Sequence, residues 1–528
     1  MSRLIAALLC LASCSFAGVS IAAGDSDLPR TFVTSHALDA GGEKIRYRAV
    51  AGELDVTDAE GKPVARIFSI AYLRERGDPD RPVMFAFNGG PGSASIWLHL
   101  GLLGPKRVVV PSDASDDGAA PLSIVENGHS PLDVADIVLI DPIGTGYSRA
   151  INGHANKEFW GIAQDAEVLA NFVRQWLTKN GRWNSPKYLC GESYGTTRAA
   201  AMTRALTQEE YGTVALNGVI LISAALDFQG IRSVAHNGRV SQSFLPSYAA
   251  TAAFHGKIPR KDLPQLVAEA REFAFTEYGA ALAKGQRLTA EERAHVRKRL
   301  SGFTGLSERY LDSVDLDIHP FRFMKELLRE EGLAVGRLDS RYTARDFDGG
   351  GERFDADPSG TGFGADYSAA ALDYLSRDLG VDMGDLKYLV LNRSGIKPQW
   401  DWKVPDVERW SLGMNPEWPT HVNVAPFLGD EMRRNADFRV LLAMGYYDLA
   451  TPFFAVENSM YQTGMLPERV TFAYYEAGHM MYVHEPSLAQ LSRDIRAFVR
   501  QPVKATKKRH VASGAVTTIA APQISSAR

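Results

Sequence analysis

The stretch "YLCGESYGTTRAAA" at residues 188–201 decides the fold. An apolar run through Tyr188, Leu189 and Cys190 breaks at Gly191, sets Ser193 between two glycines, and continues as an alanine-rich segment suited to a helix. Strand, GxSxG turn and helix in that order lift a serine side chain out of a sheet edge and aim the next backbone N–H, here that of Tyr194, at an oxyanion. GxSxG by itself carries little in a chain with 47 glycines. The strand before it and the helix after it make Ser193 a candidate nucleophile.

Outward from this point the same rhythm repeats. "VMFAF" (83–87), "DIVLI" (136–140), "KYLC" (187–190), "GVILIS" (218–223), "FRVLLAM" (438–444) and "VTFAYY" (470–475) are short apolar runs that read as buried parallel strands. Between two of them, Ile162, Ala166, Leu169, Val173 and Trp176 share one helical face, in a helix expected to begin near Asp165 and to stop at Asn180 and Gly181. This alternation predicts an α/β fold with a mostly parallel central sheet and helices on both faces. Residues 30–80 alternate apolar and polar, as antiparallel strands do.

From 228 to 425 the strand rhythm fails and the chain turns helix-rich, with a glycine- and aspartate-rich loop expected over 345–364. The expected organisation is a core over 30–227, an inserted cap over 228–425, the rest of the core over 426–501, and a disordered tail over 502–528. The aspartates of the loop match no EF-hand spacing, and no HExxH or CxxC is present, so neither a metal nor a cofactor is expected.

Composition sets outer limits. Hydrophobic residues make up 45%, charged residues 23%, and the formal net charge is -4, without the basic excess that nucleic acid binding requires. Residues 1–23 read as a signal peptide: Arg3, an apolar stretch, and small residues near Ala22 and Ala23 where cleavage would fall. Export to a periplasm or the outside is the expectation, with lipid attachment at Cys14 as the alternative, and no other run is long enough to span a membrane. Cleavage would leave Cys190 as the sole cysteine, a small buried hydrophobe.

A serine hydroxyl needs a base and donors for the oxyanion it forms. The second donor is expected from "NGGPGSAS" (88–95), which follows a strand; the alternative of a phosphate loop lacks the lysine and the Ser/Thr of that motif. Asp448 and His479 stand just after the last two strands, in the order serine, acid, histidine. Among twelve histidines His479 is singled out by this position, and His484 is the rival five residues on, in a segment read as a helix cap or a surface segment.

"NGGPGSAS", "DPIGTGYS", "CGESYG", "GYYDLATP" and "AGHMMYVHEP" together resemble the serine carboxypeptidase family, peptidase family S10, in a bacterial form. The resemblance implies an α/β-hydrolase fold with an inserted cap, peptide substrates, and release of C-terminal residues through an acyl-enzyme with an acidic optimum. It implies Ser193 as nucleophile, His479 as general base and acid, Asp448 as its orienting partner, and the N–H groups of Gly90 and Tyr194 as oxyanion hole. It further implies that a protonated Glu192, with Asn88 and Gly89, receives the substrate's terminal carboxylate. The family also holds acyltransferases and a lyase, so an esterase or acyltransferase, or a silent binding module, are the alternatives. Two positions depart from the pattern: a cysteine is replaced by Ser93, and an acidic partner in the carboxylate-binding network is replaced by Leu102.

Overall fold

The computed structural model describes residues 28–115, 121–207, 212–232, 237–259, 262–354, 356–405 and 421–501. The expected signal peptide, Cys14 and the tail after 501 lie outside the described residues.

Strands form at the six apolar runs and over 30–80. In chain order the strands are β1 (Thr31–Ala40), β2 (Glu43–Thr57), β3 (Pro63–Arg74), β4 (Val83–Phe87), β5 (Lys106–Val108), β6 (Ile124–Glu126), β7 (Asp136–Ile140), β8 (Arg149–Ala150), β9 (Lys187–Glu192), β10 (Gly218–Ile222), β11 (Leu333–Val335), β12 (Thr343–Arg345), β13 (Arg439–Gly445) and β14 (Val470–Tyr475). The short strands β5, β6, β8, β11 and β12 lie outside those expectations. The main sheet runs β1-β2-β3-β7-β4-β9-β10-β13-β14, with β8 added beside β3. Pairing is antiparallel from β1 through β7 and parallel from β7 to β14. A sheet of this order with helices on both faces is an α/β-hydrolase fold.

Residues of the central strands alternate between two apolar layers. Phe85, Leu189, Val219 and Val440 face one layer, with Leu169 and Val173 of the helix Ile162–Asn180. Met84, Tyr188, Ile220 and Leu441 face the other, with Leu488 and Ile495 of the helix Glu485–Arg500. The period of two places both faces under cover, which is why these strands read as unbroken apolar runs. The helix Ile162–Asn180 begins one turn earlier than Asp165 and ends at Gly181, whose φ of 64° is left-handed.

β10 and β13 are parallel neighbours, and the helix-rich segment lies between them in the chain. Its helix Gly238–Phe254 shares the first apolar layer through Val240, Phe244 and Tyr248, so the segment is continuous with the core. One expectation is corrected here. The glycine- and aspartate-rich stretch 345–364 is loop only to Asp357; a helix then runs Pro358–Arg377, because Asp357 accepts from the Ser359 N–H as N-cap and Pro358 suits the first helical position. Among the described residues no helix is long and apolar enough to cross a membrane.

Candidate active site

Parallel strands end together, and their C-terminal ends gather the functional residues at one edge. Register aligns Phe87 with Gly191, Glu192 with Ile222, and Gly445 with Tyr475, so Asn88, Ser193, Asp448 and His479 all emerge on the same side.

Ser193 follows β9 directly and opens the helix Tyr194–Leu206. Its backbone sits at φ 60° and ψ −128°, an outlier for a side-chain-bearing residue, and its N–H donates to Ile222 O at 3.0 Å. The turn is possible only without side chains around it: a Cβ on Gly191 would lie 2.2 Å from Gly195 O, and one on Gly89 would lie 2.5 Å from Tyr194 N. The glycine loop is thus pressed against the elbow. Ser193, Gly90 and Tyr194 line one cleft of about 680 Å³ together with Ala450 and Thr451.

Asp448 and His479 meet as expected. His479 Nδ1 lies 2.7 Å from Asp448 Oδ2, which places the Nδ1 proton toward the carboxylate and leaves Nε2 as the free lone pair. Asp448 also accepts from Ala450 N at 2.7 Å, Thr451 N at 2.9 Å and Thr451 Oγ1 at 2.7 Å. Burial alone would raise the Asp448 carboxyl, but the His479 charge and these hydrogen bonds hold it below its ordinary value. Burial alone would lower His479, yet Asp448 and then Glu192 raise it. Thr451 Oγ1 lies 3.2 Å from His479 Nδ1 and Thr451 lines the Ser193 cleft, so the buried pair lies behind Thr451, one residue from that cleft. No hydrogen bond joins the Ser193 hydroxyl to His479 among the described residues, and such bonds are commonly long before substrate binds. His484 pairs with Ser487 Oγ at 2.8 Å at the start of the last helix, apart from this arrangement.

The helix-rich segment supports the histidine loop. His479 N donates to Leu338 O at 2.6 Å, and Gly478 N donates to Asp339 Oδ2 at 3.1 Å. From the sheet, Ser223 Oγ donates to His479 O at 2.6 Å.

Glu192 is buried rather than turned to solvent. Asn88 Nδ2 donates to its Oε1 at 3.1 Å, and the Tyr482 hydroxyl donates to its Oε2 at 2.6 Å. Burial pushes the carboxyl up to about 7, against the opposing pull of His479 and the two hydrogen bonds. Leu102 lies in the apolar core. The ground next to it is taken by Tyr482, whose ring would lie 2.3 Å from a Cβ on Gly101. Glu192 therefore has two partners in spite of the apolar residue at 102.

Cys190 is buried beneath the elbow, and burial holds its thiol protonated. Asp141, from "DPIGTGYS", accepts from Ser95 N at 2.8 Å and steadies the glycine loop from behind. Burial raises Asp141 to about 6. Among the described residues no cluster of histidine, cysteine or carboxylate side chains could hold a metal.

Residues 43–255 match the family model described as serine carboxypeptidase. Over these residues the chain is similar to the serine carboxypeptidase family. The match takes in Asn88, Gly89, Gly90, Glu192, Ser193 and Tyr194 and ends before Asp448 and His479. Among curated relatives, the pheromone-processing carboxypeptidase KEX1 of Cryptococcus gattii is 30% identical over 222 residues, 41% of this chain and 31% of its own. Serine carboxypeptidase-like 50 of Arabidopsis thaliana is 28% identical over 268 residues, 49% of this chain and 53% of its own. The chain thus spans between about a third and a half of the length of these curated relatives. Among solved structures, the peroxisomal α/β-hydrolase Lpx1 of Saccharomyces cerevisiae aligns over 92% of this chain and 93% of its own, with 10% identity and a TM-score of 0.32, a likeness too loose to bear on detail.

Three residues around this site were not legible as site residues. Tyr482 stands three positions after His479, and only that proximity hints at it. Arg198 is fully buried in the helix after the elbow, paired with Asp165 at 2.6 Å and donating to Asn88 O at 2.5 Å. A charge within the alanine-rich face of that helix is its one signal. Thr451, which braces Asp448, has as its signal only its place in "GYYDLATP", three residues after the aspartate.

Proposed function

We propose that this chain is a serine carboxypeptidase that releases the C-terminal residue of peptides through an acyl-enzyme, with activity favoured at acidic pH. The observation that carries this reading is Glu192: a buried carboxyl directly before the nucleophile, held by Asn88 and Tyr482 and protonated below about pH 7. An enzyme acting on neutral esters has no use for such a group there. A substrate carboxylate does, because a protonated Glu192 can donate a hydrogen bond to it, whereas an ionised one repels it.

In the proposed mechanism the Ser193 hydroxyl attacks the carbonyl carbon of the last peptide bond. His479 Nε2 takes the hydroxyl proton, and Asp448 stabilises the imidazolium through Nδ1–H. The negative charge that develops on the carbonyl oxygen is met by the N–H groups of Gly90 and Tyr194. Both residues line the Ser193 cleft, and Tyr194 opens a helix, where the N–H has no partner within the helix. His479 then returns the proton to the leaving amine. Water, deprotonated by the same imidazole, releases the acyl group and regenerates Ser193.

The test offers three N-blocked substrates to wild type and Ser193→Ala: a peptide with a free C-terminus, its C-terminal amide, and a simple ester. Release of the last residue from the free acid, absent with the amide and lost in Ser193→Ala, is the expected result. Cleavage of the ester alone would point to an esterase or acyltransferase. No turnover and no labelling of Ser193 by a fluorophosphonate would point to a silent fold.

A further inference from the structure

The cleft that exposes Ser193 has a one-sided charge. Its walls carry Arg232, Arg337, Arg393 and Lys397, and no aspartate or glutamate lines it among the described residues. None of the four has an ion-pair partner among those residues. A surface usually interleaves charges of both signs, so four unpaired cations around a nucleophile call for an anion from elsewhere.

The site itself anchors the backbone of three of these cations, Arg337, Arg393 and Lys397. Arg337 adjoins Leu338, whose carbonyl accepts from His479 N, and Arg337 O accepts from Leu449 N at 3.1 Å. The histidine and aspartate loops thus both grip its backbone. Arg393 and Lys397 flank the helical turn Arg393–Ile396. That turn is tied down by Asn392, whose N–H donates to Gly92 O at 2.7 Å and whose Nδ2 donates to Gly144 O at 3.1 Å. Beyond it, Ile396 and Trp400 pack on Tyr194, with ring centroids of Tyr194 and Trp400 5.3 Å apart. The glycine loop and the elbow therefore set where the backbone of Arg393 and Lys397 stands. Their mutual repulsion is visible on Lys397, which is lowered by burial and then by Arg393, Arg337 and Arg232. Asp357 acts on Arg393 in the opposite sense, from outside the cleft.

We propose that this cleft selects peptides with an acidic side chain, aspartate or glutamate, on the residue that precedes the cleaved bond. The identity of the bond rests on the carboxypeptidase reading. The side follows from the lining: Asn88 and Glu192, assigned to the terminal carboxylate, do not line the cationic cleft, whereas Ser193, Gly90 and Tyr194 do. With the leaving residue directed to Glu192, the cleft receives the acyl portion. A carboxylate there meets preplaced guanidinium groups, which bind it in two-pronged fashion, and a lysine or arginine meets repulsion.

The experiment compares N-blocked Xaa-Leu dipeptides, with Xaa as Glu, Gln or Lys, at about pH 6, where the Glu side chain is ionised. Expected is a kcat/KM about tenfold higher for Glu than for Gln, lower still for Lys, with the ratio shrinking as salt screens the cleft. In the double variant Arg393→Gln/Lys397→Gln the Glu-to-Gln ratio should fall toward one. A Glu substrate no better than Gln would overturn the inference, as would a preference that survives the double variant. Equal depression of all three substrates would do the same, since the cations would then hold the terminal carboxylate. Calorimetric binding of the same peptides to Ser193→Ala separates this inference from the peptidase reading. Tighter binding of the Glu peptide without any turnover by wild type supports the cleft and rejects the peptidase; turnover without a binding preference does the reverse.

Discussion

Replacing Glu192 by Gln removes one titration and keeps the shape of the side chain, so its effect is worked directly from the site. In the folded protein burial raises Glu192 from 4.5 to about 7. A carboxyl with a raised folded value binds its proton more tightly in the native state than in the unfolded chain. Its contribution to stability is therefore fully present below about pH 4.5 and is lost as pH rises through about 7. At about 1.4 kcal/mol per pKa unit, wild type should lose ~3 kcal/mol between about pH 4 and pH 8 through this group alone. Glu192→Gln has no such term. Urea unfolding of both proteins at the two pH values reads the difference; the groups shared by both proteins cancel except His479, which the Glu192 charge raises in wild type alone. Expected is a Gln variant that gains ~3 kcal/mol on wild type as pH rises. The same variant should flatten the alkaline fall of kcat/KM on free-acid peptides, because the falling limb reports deprotonation of Glu192. His479 and Glu192 influence each other, so the wild-type profile belongs to the pair. A stability gap between the two proteins that stays constant from acid to alkaline pH would refute the reasoning.

The hydrogen bond from Tyr482 opposes the rise in Glu192, so Tyr482→Phe should move the alkaline limb of kcat/KM to higher pH; an unmoved limb in a folded variant speaks against the pairing. Asp448→Asn should leave the fold intact and lower kcat by about 10⁴-fold, because an amide no longer fixes the proton on His479 Nδ1; single-turnover kinetics with circular dichroism checks both halves. Gly89→Ala should cost about 3 kcal/mol or more and abolish activity, since its Cβ would sit 2.5 Å from Tyr194 N in the elbow. Gly302→Ala is the contrast: it lies inside the helix Ala290–Thr304 with nothing within 4 Å of a Cβ, and it should stabilise by about 0.5–1 kcal/mol in denaturant unfolding.

Much of this architecture was legible before any coordinates. The six apolar runs became β4, β7, β9, β10, β13 and β14; the inner five are covered on both faces and so leave a nearly unbroken apolar signal, whereas β14 is a half-buried edge strand. The elbow was equally plain, since the close approach of Gly191 to Gly195 O admits no other residue and therefore writes itself into the sequence. Asp448 and His479 could be named because each follows a recognisable strand. The helix Pro358–Arg377 was missed at its start: "PSGTGFG" has the composition of a loop, and tertiary packing of Tyr367 and Tyr374 in the core outweighs that local preference.

What a single chain of letters decides is local: which segments pair as strands, where the backbone must turn tightly, and which residue types stand at strand ends. Those follow from period, apolarity and steric need within a few residues. Only the folded arrangement could decide that Tyr482 fills the ground beside Leu102, that Arg198 reaches back to Asn88, and that four cations from three separate segments surround one serine. Such contacts join residues a hundred or more positions apart, and a side chain's sequence neighbours carry no record of the distant group it will touch.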